Sequence, residues 1–359
     1  MTAALANGWI PGTSPAMTPD SSSSNRSRSQ QRDAMQYTTL GKTGLKVSVA
    51  GLGCGGNSRI GLGMLTEDQS VALVREAMDL GVNFLDTAEN YETEPIVGKA
   101  IKGRPRDSVV ISTKSLLGSS AGSKSGADMV ACLDASLRKL DTDYVDIFHL
   151  HGLSPTAYDR AMSEVVPALL REKEKGKFRH LAVSETGPRD TEHKMLERAV
   201  EEPLFEVVML AFHMMCQNAR KPVLERARAN KVGTLCMFAV RNVFSRPGLL
   251  GQTIADLVTA GKLPRTLAEN KDPLGFLVHQ GGAESIVDAA YRFARHEPGI
   301  DVVLFGTSSI DHLRSNIASI LRPPLPAVDV QKLYALFGHL VGVGLDLPDR
   351  ITAAQPGKP

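Results

Sequence analysis

Four side chains of kinds that cooperate in proton transfer lie between residues 86 and 151. Asp86, Lys114 and His151 each end a short apolar run, and Tyr91 follows in the loop after the first of these. A phenol is a poor acid or base at neutral pH, but a nearby ammonium lowers its pKa, so Lys114 would activate Tyr91 while Asp86 keeps Lys114 protonated. Neutral His151 would donate a hydrogen bond to a carbonyl oxygen that becomes negative as hydride arrives. The set predicts hydride transfer at a carbonyl, with Tyr91 as proton donor or acceptor.

These groups can meet only if the ends of separate strands come together. Short runs rich in Val, Ile, Leu and Phe alternate with helical stretches, as is typical of parallel strands buried on both faces. The runs cover residues 49–53, 82–87, 108–114, 144–151, 179–185, 206–211, 233–239 and 301–308. Eight such units predict an α/β fold of the (β/α)8 TIM-barrel type, in which all strands end at one catalytic face.

Three further features complete the predicted architecture. The alternating segment around Gly-Lys-Thr-Gly, at 37–48, predicts an N-terminal β-hairpin. A long insertion at 240–282 follows strand seven and contains an amphipathic stretch that we expect to be helical. We expect residues 1–36 to be a disordered Ser-rich tail, 37–340 to be the barrel domain and 341–359 to be a C-terminal tail. The first tail has the composition of a transit peptide but no amphipathic apolar face.

The composition indicates which classes of partner and which cellular compartment to expect. The formal net charge is +2, which gives no field that favours nucleic acid or a membrane surface. No apolar run approaches the ~20 residues of a membrane-spanning helix. The four cysteines are scattered without a CxxC pair, so we expect free thiols and a cytoplasmic location. No spacing of His, Cys and carboxylates predicts a metal site.

Each of the four side chains also has a purely structural explanation. Asp86 and Lys114 would form an ion pair at the barrel end, His151 would be a hydrogen-bonded cap, and Tyr91 would pack on the rim. His149, two residues before His151, is expected to be structural. No folding requirement brings all four to the same end, so we favour the catalytic explanation.

The motifs around these residues resemble those of the aldo-keto reductase family. The segments are FLDTAENYETEPIVGKAIKG, VVISTKS, YVDIFHLHG, the opening YTTLGKTGLKVSVAGLGCGG and FGTSSIDHLRSNI, in the family's order from about Tyr37 to Leu321. The resemblance implies that Asp86, Tyr91, Lys114 and His151 are the catalytic tetrad. It also implies NADPH, or NADH, bound across the barrel top without a Rossmann fold, a small carbonyl or alcohol substrate, and a monomer or weak homo-oligomer.

The resemblance further implies a set of cofactor-binding residues, several of which depart from the family pattern. Glu185 stands where Asn is usual, Met209 or Leu210 where Gln is usual, and Gly306 where many members carry a basic residue. His312 and Arg241 would compensate for that basic residue. The implied set is Gly55, Asp86, Ser184, Glu185, Met209, Met237, Phe238, Arg241, Gly306, Thr307, Ser308, Ser309, His312 and Asn316.

Two other functions stay open from the sequence. The altered carboxamide-binding positions also fit a non-catalytic, cofactor-sensing regulatory subunit. A lyase with Lys114 as a Schiff base would need a lowered lysine pKa, which Asp86 opposes. The sequence does not predict the identity of the substrate. The loops expected to line its pocket contain Asn57, Arg59, Leu116 and Leu117.

Overall fold

The computed structural model describes residues 34–55, 60, 65–119 and 122–346. The expectation of disorder in the first tail therefore lies outside the described residues except at 34–36. The pocket positions Asn57 and Arg59 and the last part of the C-terminal tail, 347–359, also lie outside them.

Eight parallel strands close into a barrel, which confirms the predicted (β/α)8 fold. The strands are β1 (Ala50–Gly53), β2 (Phe84–Asp86), β3 (Val110–Leu116), β4 (Val145–His151), β5 (Phe178–Ser184), β6 (Val207–Ala211), β7 (Gly233–Met237) and β8 (Val302–Phe305). Each of the eight predicted runs contains or overlaps one strand. The run at 233–239 was too long because Phe238 has a φ of 70°, which ends the extended conformation.

An antiparallel hairpin precedes the barrel, as predicted, and closes its amino-terminal end. Tyr37–Thr39 pairs with Lys46–Ser48. Leu40 and Val47 are fully buried in the same apolar cluster as side chains from the barrel interior, among them Phe84, Val110, Ile147, Val207, Leu235 and Val302. Because this end is filled by apolar groups, the carboxyl end of the barrel is the end that can hold the polar candidate residues.

Helices cover the outside of the barrel. The longer ones are Glu67–Asp79, Glu94–Ile101, Gly126–Leu140, Val166–Glu174, Lys194–Ala199, Ile286–Arg295, Ile310–Leu321 and Ala327–Phe337. The first begins with a capping box in which Thr66 accepts from the amide of Gln69, and Gly81 follows its end with a φ of 92°. The insertion after β7 holds Asn242–Ser245, Leu249–Thr259 and Arg265–Ala268, so its amphipathic stretch is helical, as predicted.

Residues after the helix Ala327–Phe337 return to the carboxyl end of the barrel. We call residues 338–346 the closing segment. Its side chains Leu340, Val343 and Leu345 are buried. Leu345 belongs to one apolar cluster with Ala211 and Cys216, against which Met237 and Phe238 also pack. The first part of the predicted C-terminal tail is therefore packed against the barrel.

Candidate active site

The register of neighbouring strands brings the first two catalytic candidates together. Asp86 at the end of β2 pairs with Ser112 on β3, and Lys114 lies two residues further along the same face. The Nζ of Lys114 donates to Oδ2 of Asp86 at 2.7 Å and to the carbonyl oxygen of Thr87 at 2.6 Å. Lys114 is fully buried, and a buried ammonium is stable only when it is paired in this way.

The electrostatics of this pair favour a protonated Lys114. Burial alone would lower the pKa of Lys114, but the charges of Asp86 and Tyr91 outweigh it and raise that pKa. Burial raises the pKa of Asp86, whereas Lys114 and the hydroxyl of Ser112 counteract the rise. The result is a fixed positive charge beneath the phenol.

Tyr91 lies directly over this charge. The Nζ of Lys114 is 4.8 Å from the centre of the Tyr91 ring. Tyr91 ends the short helical turn Glu89–Tyr91. A side chain at Gly55 would overlap the Tyr91 ring, so glycine there leaves room for the phenol. Gly55 was predicted to contact the cofactor, and its observed contact is with Tyr91.

His151 at the end of β4 completes the group. Its Nε2 lies 3.5 Å from the Tyr91 hydroxyl, and the two rings meet edge to face with centroids 5.6 Å apart. Burial, followed by the charges of Lys114 and Lys124, lowers the pKa of His151 to about 3. A neutral imidazole and a phenol are thus aimed at one point, where an oxygen that gains negative charge would be stabilised.

A cluster of polar groups anchors the turn that carries Tyr91. Glu89 accepts hydrogen bonds from the hydroxyl of Ser115 and from Lys124, the latter at 2.8 Å. Lys124 also donates to Ser115 at 2.9 Å. Sequence reasoning missed this cluster, although Ser115 directly follows Lys114 and Glu89 lies two residues before Tyr91.

Glu185, predicted to hold the nicotinamide carboxamide, is engaged within the protein. Its Oε1 accepts from the amide of Ala211 at 2.7 Å, and its Oε2 lies 2.8 Å from Nδ1 of His193. The side chains of both Glu185 and His193 are fully buried. Ser184 accepts from the amide of Gly152 at 2.9 Å. Sequence reasoning missed His193, which follows a loop with no periodic pattern.

The cofactor candidates from β6 and β7 fall into two environments. Met209 lies in the apolar interior, and Met237 lies between that interior and the cluster that contains Leu345. The Arg241 guanidinium is 4.1 Å from the centre of the Phe238 ring and lies 2.7 Å from the carboxylate of Asp346. An anion-binding arginine is therefore present at this edge, but an acidic side chain of the closing segment contacts it.

The candidates for phosphate binding begin the helix Ile310–Leu321. Ser309 caps that helix by accepting from the amide of His312, and the Thr307 hydroxyl accepts from the amide of Ser309. Gly306 and His312 are exposed, whereas Ser308 and Asn316 are half-buried. A twelve-residue helix that begins at the carboxyl end of the barrel presents its positive dipole end to an anion.

Other features of the described residues do not compete with this site. An open groove of about 980 Å³ lies between the helices Glu94–Ile101 and Gly126–Leu140, and several of its charges are already paired, as in Lys177–Asp134 at 2.6 Å. Within the described ranges, no group of three or more His, Cys, Asp or Glu could hold a metal, and no helix is long and apolar enough to cross a membrane. All four cysteines are free, as predicted.

Two curated relatives match most of the chain. L-Galactose dehydrogenase of Arabidopsis thaliana is 28% identical over 297 residues, which cover 80% of this chain and 88% of the relative. An aldo-keto reductase of Bacillus subtilis is 29% identical over 297 residues, covering 76% and 85% respectively.

Solved structures share the fold, and a family model identifies the family. An aldo-keto reductase of Bacillus halodurans in its holo form has a TM-score of 0.65 at 24% identity, covering 83% of this chain and 96% of that one. An aldo-keto reductase of Klebsiella pneumoniae in complex with NADP and acetate has a TM-score of 0.61 at 23% identity, covering 84% and 95%. The model of the aldo/keto reductase family matches residues 51–336, from the first barrel strand into the second helix after the last strand. This chain therefore belongs to the aldo/keto reductase family of oxidoreductases.

Proposed function

We propose that this protein transfers hydride between a nicotinamide cofactor and a small carbonyl or alcohol substrate, with Tyr91 as the proton donor in reduction and acceptor in oxidation. One observation supports it above others. A phenol and a neutral imidazole converge at the barrel end, above a lysine that is fully buried against Asp86. None of these groups can carry hydride, so the donor set needs a separate hydride carrier.

Each residue of the chain has a distinct part in this reaction. His151 donates to the substrate oxygen and stabilises the negative charge that develops there. Tyr91 delivers a proton to the same oxygen, and Lys114 stabilises the phenolate that remains. Asp86 holds Lys114 charged and in place. The nicotinamide, when bound, supplies or accepts the hydride.

We propose NADPH as the preferred cofactor, with NADH as the alternative. The Klebsiella structure contains NADP, although at 23% identity it supports the fold alone. Exposed His312 and the start of the helix Ile310–Leu321 would receive the adenosine phosphate, with Thr307, Ser308 and Asn316 beside it. Met237 and Phe238 would flank the nicotinamide ring.

The proposal is tested by following nicotinamide absorbance with purified protein and both cofactors. The substrate panel contains aldehydes, ketones and sugars, with L-galactose first because the Arabidopsis relative is named for it. Tyr91→Phe should abolish turnover and still bind cofactor. Tyr37→Phe is the matched control, because Tyr37 is exposed in the hairpin at the opposite end. Full activity of Tyr91→Phe would remove Tyr91 from the mechanism.

A second candidate function is a cofactor-sensing subunit without turnover. It is favoured by Glu185, whose two carboxylate oxygens are already engaged and do not reach for a carboxamide. Tight binding of NADPH without turnover on the whole panel, in wild type and Tyr91→Phe alike, would favour it.

A further inference from the structure

Two polar side chains lie inside the barrel, one layer below the tetrad. Ser112 is on β3, two residues before Lys114, and His149 is on β4, two residues before His151. Both are fully buried. The layer beneath them is apolar and includes Val110. Polar groups in such an interior are costly unless they are hydrogen-bonded, so their placement needs an explanation.

The two side chains form a chain of hydrogen bonds that ends on Asp86. The hydroxyl of Ser112 is 2.8 Å from Oδ1 of Asp86 and 3.0 Å from Nε2 of His149. An ionised carboxylate can only accept, so the single hydroxyl proton of Ser112 is donated to Asp86. The oxygen of Ser112 then accepts from His149, and the proton of that imidazole therefore sits on Nε2.

The surrounding charges keep His149 neutral. Burial lowers its pKa well below the ordinary value, and the charge of Lys114 lowers it further. The other titratable groups near Asp86 and Lys114 are Tyr91 and Cys54. A neutral His149 adds a donor without adding a second positive charge beside Lys114.

We propose that Ser112 and His149 are positioning residues, which fix the Asp86 carboxylate so that Lys114 is held beneath Tyr91. This inference rests on the proposed function. Both carboxylate oxygens of Asp86 accept hydrogen bonds, Oδ2 from Lys114 and Oδ1 from Ser112. His149 acts through Ser112 by orienting its hydroxyl. Neither side chain touches the reacting atoms.

Loss of the hydrogen bond from Ser112 to Asp86 should change the pH dependence of activity in a defined direction. Without the Ser112 donor, the proton affinity of Asp86 rises, and the carboxylate neutralises more of the charge on Lys114. The phenolate of Tyr91 is then less stabilised. In the oxidation direction, where Tyr91 acts as base, the pH at which activity rises should move upward.

The kinetic experiment compares four variants with wild type across pH in the oxidation direction. Ser112→Ala should lower kcat about tenfold and move the rising limb up by about half to one pH unit, with KM for the cofactor unchanged. His149→Leu should have a smaller effect of the same sign, and His149→Gln, which keeps an N–H donor, should recover most activity. Ser136→Ala is the control, because it removes a buried serine hydroxyl from the helix Gly126–Leu140 and should change neither quantity.

Two further measurements separate positioning from a general packing role. Ser112→Ala combined with His149→Leu should be no worse than Ser112→Ala alone, because both changes remove one chain of bonds. Nitrogen NMR of histidine-labelled wild type, assigned with His149→Gln, should find a protonated Nε2. Additive kinetic losses, an unmoved pH limb or an unprotonated Nε2 in an active enzyme would overturn this inference alone. Wild type without turnover on every substrate would overturn the proposed function and this inference with it.

Discussion

Because of the buried pair of Glu185 and His193, the free energy of unfolding should fall as pH rises into the alkaline range. Burial disfavours a charged His193, but the Cys216 thiol and the Glu185 carboxylate raise its pKa to about 10. The unfolded imidazole has a pKa of about 6.5, so between these two values folding takes up a proton. A raised folded pKa stabilises the protein fully below about 6.5, and this contribution is lost as pH rises through 10.

The magnitude follows from the slope of that dependence. One proton taken up on folding changes the free energy of unfolding by about 1.4 kcal/mol per pH unit. From pH 7 to pH 10 the His193 contribution should therefore fall by at most about 4 kcal/mol. Glu185→Gln keeps the size of the side chain and an oxygen for the amide of Ala211, but removes the charge opposite His193. The slope in this variant should be half that of wild type or less.

Urea unfolding followed by circular dichroism at pH 7, 8, 9 and 10 measures both slopes. Glu192→Gln is the matched control, because Glu192 forms an exposed pair with Lys194 on the same loop and should change stability by less than about 1 kcal/mol. Parallel curves for wild type and Glu185→Gln over the whole range would refute the reasoning.

Three further substitutions test other contacts of the catalytic end. Gly55→Ala should lower kcat at least tenfold with little change in thermal stability, because the added methyl group displaces the Tyr91 ring; turnover at the wild-type level would contradict this packing. Lys114→Met should abolish turnover and lower the free energy of unfolding by about 3–5 kcal/mol at pH 7, because Asp86 is left buried without its partner. The loss should be smaller at pH 5, where Asp86 is more readily protonated, and an equal loss in urea unfolding at both pH values would count against an uncompensated charge. Asp346→Asn should cost about 0.5–1 kcal/mol, because Asp346 is partly exposed, and thermal unfolding that is unchanged would show that the contact with Arg241 adds nothing.

Much of the fold and the tetrad could be predicted because both follow from local patterns. The strands coincide with short runs rich in apolar residues, and a parallel barrel places every strand end on one face. Asp86, Lys114 and His151 therefore had to converge once the strands were identified. Tyr91 joined them because a loop of five residues cannot carry it far from Asp86.

The partners of other side chains could not be predicted, because tertiary contacts choose them. Glu185 leaves the end of β5, and its direction is set by the amide of Ala211 on a different strand and by His193 beyond an irregular loop. Arg241 meets Asp346 from a segment more than one hundred residues later. No periodicity in the sequence links such positions.

Ser112 and His149 are an intermediate case, since the signal for them was present. Side chains two apart on a strand share a face, so the residues two before Lys114 and His151 had to point into the barrel beneath them. A serine and a histidine at these two positions could have been recognised as a polar layer inside the barrel. Ser112 reaches Asp86 because the register of β2 with β3 places these two residues opposite each other, and the sequence leaves that register undetermined.

The closing segment has a consequence for how the chain matures during its synthesis. Arg241 is made 105 residues before Asp346, and the ring of His213 packs against Gly344. At translation rates of about 5–20 residues per second, Arg241 is made roughly five to twenty seconds before Asp346, and His213 precedes Gly344 by slightly longer. Until then the apolar surface around Cys216 has no Leu345 to cover it. The nascent barrel should thus be most exposed to chaperones at the face that carries the candidate active site.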